Sequence, residues 1–264
     1  DLDGADLTGV TSGSITDMPS RLPMGWSPIN GYLIGPGANL TDADLTNASM
    51  YSYDLTGADL TGADLTGANL LVAILTGANL TGADLNGVDL NGVTSGSITG
   101  MPSTLPTNWQ LINGYLIGPG ANLDGANLDG ADLNNVKSGG ITGSTLSLPD
   151  NWVLVNGYLI GPGANLVGAD LSGVDLSDAG FLGFAADLSG ADLSGANLSN
   201  TDLGGVDLTG ASLDGVKSGG ITATGPTLPG TPTTLPGTPP TLPTGWQFTD
   251  GYLIGPGANL TGAD

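Results

Sequence analysis

The sequence predicts an all-β solenoid, because a five-residue period runs through most of its 264 residues. Leu recurs at every fifth position, a small apolar residue usually stands two positions earlier, and Asp or Asn lies between them. In an extended segment this alternation directs Ala and Leu to one face and the polar residue to the other. Thr-Gly or Ser-Gly then makes a turn, since Gly adopts backbone conformations closed to other residues. A period of five fits neither a helix nor a long strand.

The recurring Leu defines the predicted core. Stacked coils would place these side chains in one interior ladder, with Asp, Asn, Thr and Gly outside. Representative members of this core ladder are Leu40, Leu45, Leu60, Leu65, Leu80, Leu85, Leu123, Leu128, Leu166, Leu193 and Leu198.

The tandem run Gly-Ala-Asp-Leu-Thr-Gly-Ala-Asp-Leu-Thr-Gly-Ala-Asn-Leu at 57–70 resembles the motif A(D/N)LXX of the pentapeptide-repeat family. The resemblance covers almost the whole chain. It implies a right-handed quadrilateral β-helix, with four pentapeptides or about 20 residues in each coil. We therefore expect a single β-solenoid over residues 1–264, with about 12 coils spaced by about 4.8 Å.

One recurring cassette interrupts the repeat four times. Each copy carries one Trp and ends in Gly-Tyr-Leu-Ile-Gly-Pro-Gly. The copies span residues 10–37, 93–120, 136–163 and 216–257. We interpret the second copy as pentapeptides broken only by the triplet 103–105. In the fourth copy the triplet expands into 226–242, whose Pro content predicts an extended surface loop.

This interpretation predicts the phase of the cassettes. Without the triplets, Trp26, Trp109 and Trp152 are separated by whole numbers of four-pentapeptide coils. All four cassettes should then lie in phase on one side of the solenoid. The last interval fits only if the irregular segment 181–186, interpreted as a shortened face, keeps the four-sided phase.

The composition excludes several classes of function. There are 25 acidic residues, all Asp, against three basic ones, and neither His nor Cys occurs. Catalysis by Ser–His–Asp or Cys–His groups and metal sites built on His or Cys are therefore excluded. Three cations cannot neutralise a run of phosphates, so nucleic acid is not an expected partner. No apolar run is long enough for membrane insertion. We expect no enzyme activity, no catalytic or metal site and no cofactor.

The Asp positions allow three interpretations. A solvated column hydrogen-bonded along the stack, with loosely bound cations, is the one we prefer. A calcium site would need about six to eight oxygen ligands in a defined loop, and no such loop motif is present. Mimicry of DNA is the third interpretation, because some pentapeptide-repeat proteins bind DNA gyrase in that way. An ordered Thr face that binds ice is a further alternative, but Ser, Asp and Asn interrupt it.

Aromatic residues of the cassettes are candidates for lateral contact between molecules, or for local packing over each cassette. Aligned aromatic side chains would form an adhesive stripe. These candidates are Trp26, Trp109, Trp152, Trp246, Tyr32, Tyr115, Tyr158 and Tyr252.

The sequence favours a structural function. The repeat is under way at Asp1 and again at Asp264, with no evident cap at either position. Either the chain continues beyond this piece or one molecule stacks on the next, and we expect self-association by end-to-end coil stacking. A filament, stalk or surface layer, extracellular or at the cell surface, fits this composition. The alternative is an acidic rod-like binding module, such as a DNA mimic that binds a DNA-processing enzyme like gyrase.

Overall fold

The computed structural model describes residues 1–17, 19–179, 185–224 and 237–263. Within these ranges it contains no helix and eight short strands. They are β1 Ser27–Ile29, β2 Tyr32–Ile34, β3 Gln110–Ile112, β4 Tyr115–Ile117, β5 Val153–Val155, β6 Tyr158–Ile160, β7 Gln247–Thr249 and β8 Tyr252–Ile254. Contacts group the chain into two compact units. Unit 1 comprises Asp1–Ala126 and Ile141–Ser144, and unit 2 comprises Asn127–Gly140 and Thr145–Asp264.

In unit 1 the pentapeptides wind into coils with four sides. Successive Asp or Asn positions each form a parallel bridge to the equivalent position four pentapeptides further on, as Asp59 does to Asn79. The four resulting ladders are A (Thr11, Asn39, Asp59, Asn79, Thr99), B (Asp44, Asp64, Asp84, Thr104), C (Ser49, Asn69, Asp89) and D (Asp54, Ile74, Thr94, Asn122, Thr142). The predicted β-solenoid is therefore present, although its handedness, its count of coils and its continuity through residues 1–264 stay predictions.

Each pentapeptide pairs with its neighbours above and below and then turns. The Leu60 N–H donates to the Asn79 carbonyl at 2.9 Å, and the Asn79 N–H donates to the Ala58 carbonyl at 2.9 Å. The turn closes when the Ala63 N–H donates to the Leu60 carbonyl at 3.0 Å. Gly62 has φ +67° at the third position of this turn, as a type II turn requires.

The interior is formed by the predicted Leu ladder and the preceding small residues. All eleven representative Leu side chains are at most 1 % exposed. Ala58, Ala63 and Ala68 have no exposed surface, and Met50 is fully buried in the one gap of the Leu series. Among the described residues, no buried side-chain nitrogen or oxygen atom lacks a hydrogen-bond partner.

Val72 occupies a turn position where most repeats have Gly. Its φ is 52°, and its side chain is 41 % exposed. A left-handed conformation costs an L-residue about 1–2 kcal/mol, because Cβ crowds the following carbonyl. We expect Val72→Gly to raise the free energy of unfolding by about 1 kcal/mol after the greater flexibility of the unfolded chain is subtracted. Urea denaturation measures the change, and a destabilised variant would contradict this account of the turn.

The cassettes contain the eight strands, as four antiparallel hairpins. In the second cassette Gln110 pairs with Ile117, Leu111 with Leu116 and Ile112 with Tyr115. The intervening Asn113 and Gly114 have φ +49° and +77°, as in a type I′ turn. The other hairpins have the same register around Asn30-Gly31, Asn156-Gly157 and Asp250-Gly251.

A Ser hydroxyl anchors the second strand of each hairpin. The Leu116 N–H donates to Ser95 Oγ at 2.9 Å, and Ser95 is only 8 % exposed. Ser12, Ser138 and Ser218 accept the corresponding bonds from Leu33, Leu159 and Leu253. Leu116 and Ile117 are fully buried, so the hairpin supplies the core residues that pentapeptides supply elsewhere.

The interpretation of the triplet 103–105 is wrong. Thr104 bridges Asp84, and the Ser103 N–H donates to the Ala83 carbonyl at 2.8 Å, so the triplet stays in register. The cassette leaves ladder D at Thr94 and returns to it at Asn122, 28 positions later. A regular coil advances by only 20 positions, as from Asp59 to Asn79. The eight additional residues lie between Thr104 and Asn122, in the segment that contains the hairpin.

An excess of eight residues, rather than three, changes the phase of the cassettes. In unit 1 the first hairpin returns at Asn39 on ladder A, whereas the second returns at Asn122 on ladder D. Within this unit the two hairpins are therefore a quarter turn apart, and the prediction that they share one side is wrong.

Unit 2 has its own four ladders, labelled E to H. They are E (Lys137, Asn165, Asp192, Ser212), F (Asp170, Asn197, Lys217, Asn259), G (Asp175, Asp202, Thr222) and H (Asp187, Asp207, Thr241). The third hairpin returns at Asn165 on ladder E and the fourth at Asn259 on ladder F. These hairpins also enter on neighbouring sides rather than on one side.

The sequence between ladders G and H is irregular, but the residues on both ladders still form their parallel bridges. Successive ladders are normally one pentapeptide apart, but more than two pentapeptides separate Asp175 from Asp187. The sequence spacing between ladders G and H is therefore longer than one pentapeptide, whereas a shortened spacing was expected. Most of the segment 181–186, to which the prediction of a shortened face referred, lies outside the described residues.

The fourth cassette also returns to the ladder it left. It runs from Lys217 to Asn259 on ladder F, and its extra length over the second cassette equals the expansion of the triplet into 226–242. The ladder register is therefore the same on both sides of this segment. Of the predicted surface loop 226–242, residues up to 236 lie outside the described residues.

Candidate functional site

The outward carboxylates are engaged in the turns of their own repeats. Asp64 Oδ1 accepts the Thr66 N–H at 2.9 Å, and Asp59 Oδ1 accepts the Thr61 N–H at 3.1 Å. Asn79 Oδ1 accepts the Thr81 N–H in the same way, at 3.1 Å. The turn needs a side-chain oxygen and not a charge, which explains why Asp and Asn alternate freely in the repeat.

Asn also links neighbouring coils along a ladder. Asn79 Nδ2 donates to Asp59 Oδ1 at 3.2 Å and to Thr61 Oγ1 at 2.9 Å. In unit 2 Asn197 Nδ2 donates to Asp170 Oδ1 at 3.1 Å. An Asp directly above another Asp would repel it, whereas Asn offers a hydrogen bond. Ladder B keeps Asp at three successive levels and is the most concentrated column of charge in unit 1.

Hydrogen bonds from the residue two positions later lower the pKa of Asp64. The Thr66 side chain has the largest effect, and the Thr66 backbone N–H the next. The pKa of Asp170 is lowered by the side chain and backbone of Ser172, and the pKa of Asp6 by the backbone and side chain of Thr8. A depressed carboxyl pKa contributes stability above the unfolded-state value, and this contribution is lost as the pH falls through the folded-state value.

We expect Thr66→Val to raise the pKa of Asp64 towards its ordinary value. The substitution removes the hydrogen bond from the Thr66 hydroxyl, which lowers this pKa most, while the bond from the Thr66 backbone N–H remains. A carbon-detected NMR titration of the carboxyl groups measures this shift. Thr76→Val is the matched control, since the residue two positions before Thr76 is Ile74. An unchanged Asp64 titration in Thr66→Val would contradict the hydrogen-bond account.

The described residues show no group of three or more acidic side chains arranged to hold a metal ion. Over the same ranges one ion pair occurs, between Arg21 and Asp3 at 3.5 Å, with both side chains largely exposed. No helix in the described part of the chain is long and apolar enough to cross a membrane.

The cassette tryptophans pack on glycine. A Cβ placed on Gly35, Gly118, Gly161 or Gly255 would lie 2.3–2.4 Å from the Cδ2 atom of the Trp in the same cassette. Each indole ring therefore lies against bare backbone. Trp26, Trp109 and Trp246 are half-buried, and Trp152 is 9 % exposed.

The cassette tyrosines are held in a similar way. The rings of Tyr32, Tyr115, Tyr158 and Tyr252 come within 3.1–3.3 Å of a Cβ built on Gly13, Gly96, Gly139 or Gly219. Tyr32 Oη accepts the Asp44 N–H at 3.2 Å, and Tyr158 Oη accepts the Asp170 N–H at 3.2 Å. All eight aromatic residues thus have a role inside the fold, and their proposed role in lateral contact stays a prediction.

Sequence reasoning missed one cluster of aromatic residues. Trp26, Tyr51 and Tyr53 line a single groove with Asp54, and its volume is about 360 Å³. The available signal was the departure from the repeat at 51–53, where Tyr-Ser-Tyr stands in place of the frequent Thr-Gly-Ala.

Comparison with known proteins identifies the class. The family described as Pentapeptide repeats matches in eight copies, over residues 54–92, 119–137, 162–183 and 186–217. The chain therefore contains the repeats that define the pentapeptide-repeat family over these residues. No curated protein sequence matches it.

Several solved structures are similar to this chain. HetL, a pentapeptide-repeat protein involved in heterocyst differentiation regulation in the cyanobacterium Nostoc sp., is 29 % identical over 71 % of this chain and 75 % of its own, with a TM-score of 0.20. A pentapeptide-repeat protein of the Arabidopsis thaliana thylakoid lumen is 26 % identical over 51 % and 65 %, with a TM-score of 0.19. QnrB1, a plasmid-mediated fluoroquinolone resistance protein, is 17 % identical over 70 % of each chain, with a TM-score of 0.21.

Proposed function

We propose that this protein is a non-catalytic structural solenoid that forms or contributes to a filament, stalk or surface layer by coil-on-coil stacking. The supporting observation is the self-complementary edge of each coil. The Leu40 N–H donates to the Asp59 carbonyl at 2.7 Å, and the equivalent Leu60 N–H donates to the Asn79 carbonyl at 2.9 Å. Because the pattern repeats with each coil, any exposed coil edge matches the opposite edge of another molecule.

The side chains reinforce this proposal. Leu45, Leu65 and Leu85 continue one apolar column through successive coils, so stacking would bury the apolar surface left open at an edge. The outward Asp positions keep lateral surfaces charged and hydrated, which favours growth along the axis over lateral aggregation. An extracellular or cell-surface location belongs to the same proposal.

Electron microscopy and sedimentation of the full chain at several concentrations test the proposal. We expect polymers that lengthen with concentration and show an axial spacing of about 4.8 Å. Added NaCl should favour them, because a formal charge of −22 on each molecule opposes association until it is screened. Discrete particles of one size at every concentration and salt level would overturn the proposal.

Ladder B favours a second candidate function. Asp44, Asp64 and Asp84 lie on successive coils, and so form a column of negative charge with a spacing of about 4.8 Å. An acidic binding module that occupies a DNA-processing enzyme would use such a column. Inhibition of the supercoiling activity of gyrase, lost in the triple variant Asp44→Asn, Asp64→Asn, Asp84→Asn, would support it. Equal inhibition by the triple variant would exclude the column as the binding surface.

A further inference from the structure

The groove between the first hairpin and ladder D is lined by aromatic side chains, which the regular repeat does not contain. It is lined by Gly25, Trp26, Ser27, Tyr51, Ser52, Tyr53 and Asp54, and its volume of about 360 Å³ falls within the range of small-ligand sites. Tyr51 is 55 % exposed, whereas Trp26, Tyr53 and Asp54 are half-buried. The aromatic groups therefore line a solvent-accessible recess.

The backbone at this position still follows the repeat. The Tyr53 N–H donates to the Met50 carbonyl at 3.2 Å, and the Ile74 N–H donates to the Tyr53 carbonyl at 2.9 Å. Ser52 takes the left-handed turn conformation with φ 62°, where most repeats have Gly. Thr-Gly-Ala would satisfy the same backbone with less strain. Tyr-Ser-Tyr thus breaks the local rule without an evident gain in stability, which is a signature of a functional site.

The lining groups are complementary to an organic cation. The lining contains three aromatic rings, a type of group that attracts cations through its electron-rich face, and its one charged side chain, Asp54, is negative. Asp54 Oδ1 accepts the Thr56 N–H at 2.9 Å, which holds the carboxylate in place. The formal charge of −22 raises the local concentration of cations around the whole chain.

We propose that this groove binds a methylated ammonium group through the aromatic rings of Trp26, Tyr51 and Tyr53 and the charge of Asp54. The site is independent of coil stacking and goes beyond the proposed structural function. The ligand is either a free small cation or the same headgroup carried on a lipid.

Isothermal titration of choline into the full chain, with NaCl added to equal ionic strength, is the first test. The neutral isostere 3,3-dimethyl-1-butanol is the matched ligand control, because it has the same shape without the charge. We expect saturable binding of choline and about twofold to fivefold weaker binding of the alcohol, the effect of a cation–π contact at an exposed site. Equal binding of both compounds, or no saturable binding of choline, would overturn the proposal.

Two variants locate the site. Asp54→Asn retains an oxygen acceptor for the turn, as Asn69 and Asn79 do in the same repeat position, but removes the charge. Tyr51→Ala removes an exposed ring, and Met101→Ala, at a residue that is 67 % exposed, is the control substitution. We expect Asp54→Asn and Tyr51→Ala each to weaken choline binding about threefold to fivefold. Unchanged affinity in both variants would overturn the assignment.

Vesicles distinguish the two sources of the cation. Co-sedimentation with phosphatidylcholine vesicles, reduced by Asp54→Asn, would assign a lipid headgroup. Binding of free choline without co-sedimentation would assign a soluble ligand. A sample without vesicles, pelleted in parallel, gives the sedimentation of any polymer of the protein alone. With that background subtracted, failure of the filament proposal leaves this test intact.

Discussion

Deleting Ser103, Thr104 and Leu105 is expected to lower the free energy of unfolding of the protein by about 2–6 kcal/mol, the value of four hydrogen bonds at about 0.5–1.5 kcal/mol each. The Ser103 N–H and Oγ both donate to the Ala83 carbonyl, at 2.8 and 2.9 Å. Thr104 Oγ1 donates to Asp84, and the Leu85 N–H donates to the Thr104 carbonyl at 3.4 Å. Urea denaturation followed by circular dichroism measures the loss.

A replacement of the hairpin is the control for this deletion. The segment 105–120 is exchanged for the shorter sequence Leu-Thr-Gly-Ala-Asp-Leu-Thr-Gly, which restores a coil of regular length between Thr94 and Asn122. We expect this variant to fold with a cooperative transition, because every ladder stays in step. A neutral triplet deletion together with an unfolded replacement variant would show that the extra residues are the triplet after all.

Gly118→Ala is expected to destabilise the protein by about 3 kcal/mol, with the loss of Trp packing in a core, about 3–5 kcal/mol, as an upper limit. The new Cβ would lie 2.4 Å from Trp109 Cδ2, so the indole has to leave the backbone on which it packs. Gly118 has no positive φ, and the cost therefore arises from the contact rather than from the backbone conformation.

A double-mutant cycle isolates that contact. In a Trp109→Ala background the clash is absent, and Gly118→Ala should cost less than about 1 kcal/mol, giving a coupling of about 2–3 kcal/mol. The free energies of unfolding of the four proteins are obtained from urea titrations. Equal costs of Gly118→Ala in the two backgrounds would show that the glycine is required for another reason.

The repeat could be predicted from sequence because each pentapeptide contains all the residues that determine its own conformation. Leu60 and Ala58 are buried and Gly62 turns the chain, all through local preferences that the next coil repeats. The stacking partner is also fixed, since a residue four pentapeptides away has the same environment. Composition and spacing therefore suffice for the coils.

The cassette hairpins were not predicted because their apolar residues have the same five-residue spacing as those of the pentapeptides. Val93 and Ile98 do fit the five-residue pattern and are buried, which made Leu111 and Leu116 look like a continuation of it. The sequence Gln-Leu-Ile-Asn-Gly-Tyr-Leu-Ile contains an Asn-Gly pair between apolar runs, a strong hairpin signal that should have taken precedence. The aromatic groove was missed for a different reason, because Trp26 and Tyr51 are distant in the sequence and line one groove only in the folded chain.

Disulfide trapping tests the central structural claim, that each cassette is one enlarged coil returning to the ladder it left. The chain has no Cys, so introduced pairs report without interference. Asn122 Nδ2 donates to Thr94 Oγ1 at 3.0 Å, and bridged positions lie within disulfide range. We predict rapid crosslinking of Thr94→Cys with Asn122→Cys and none of Thr99→Cys with Asn122→Cys. Crosslinking of the second pair instead of the first would mean that the extra residues are the triplet, and would contradict the hairpin account.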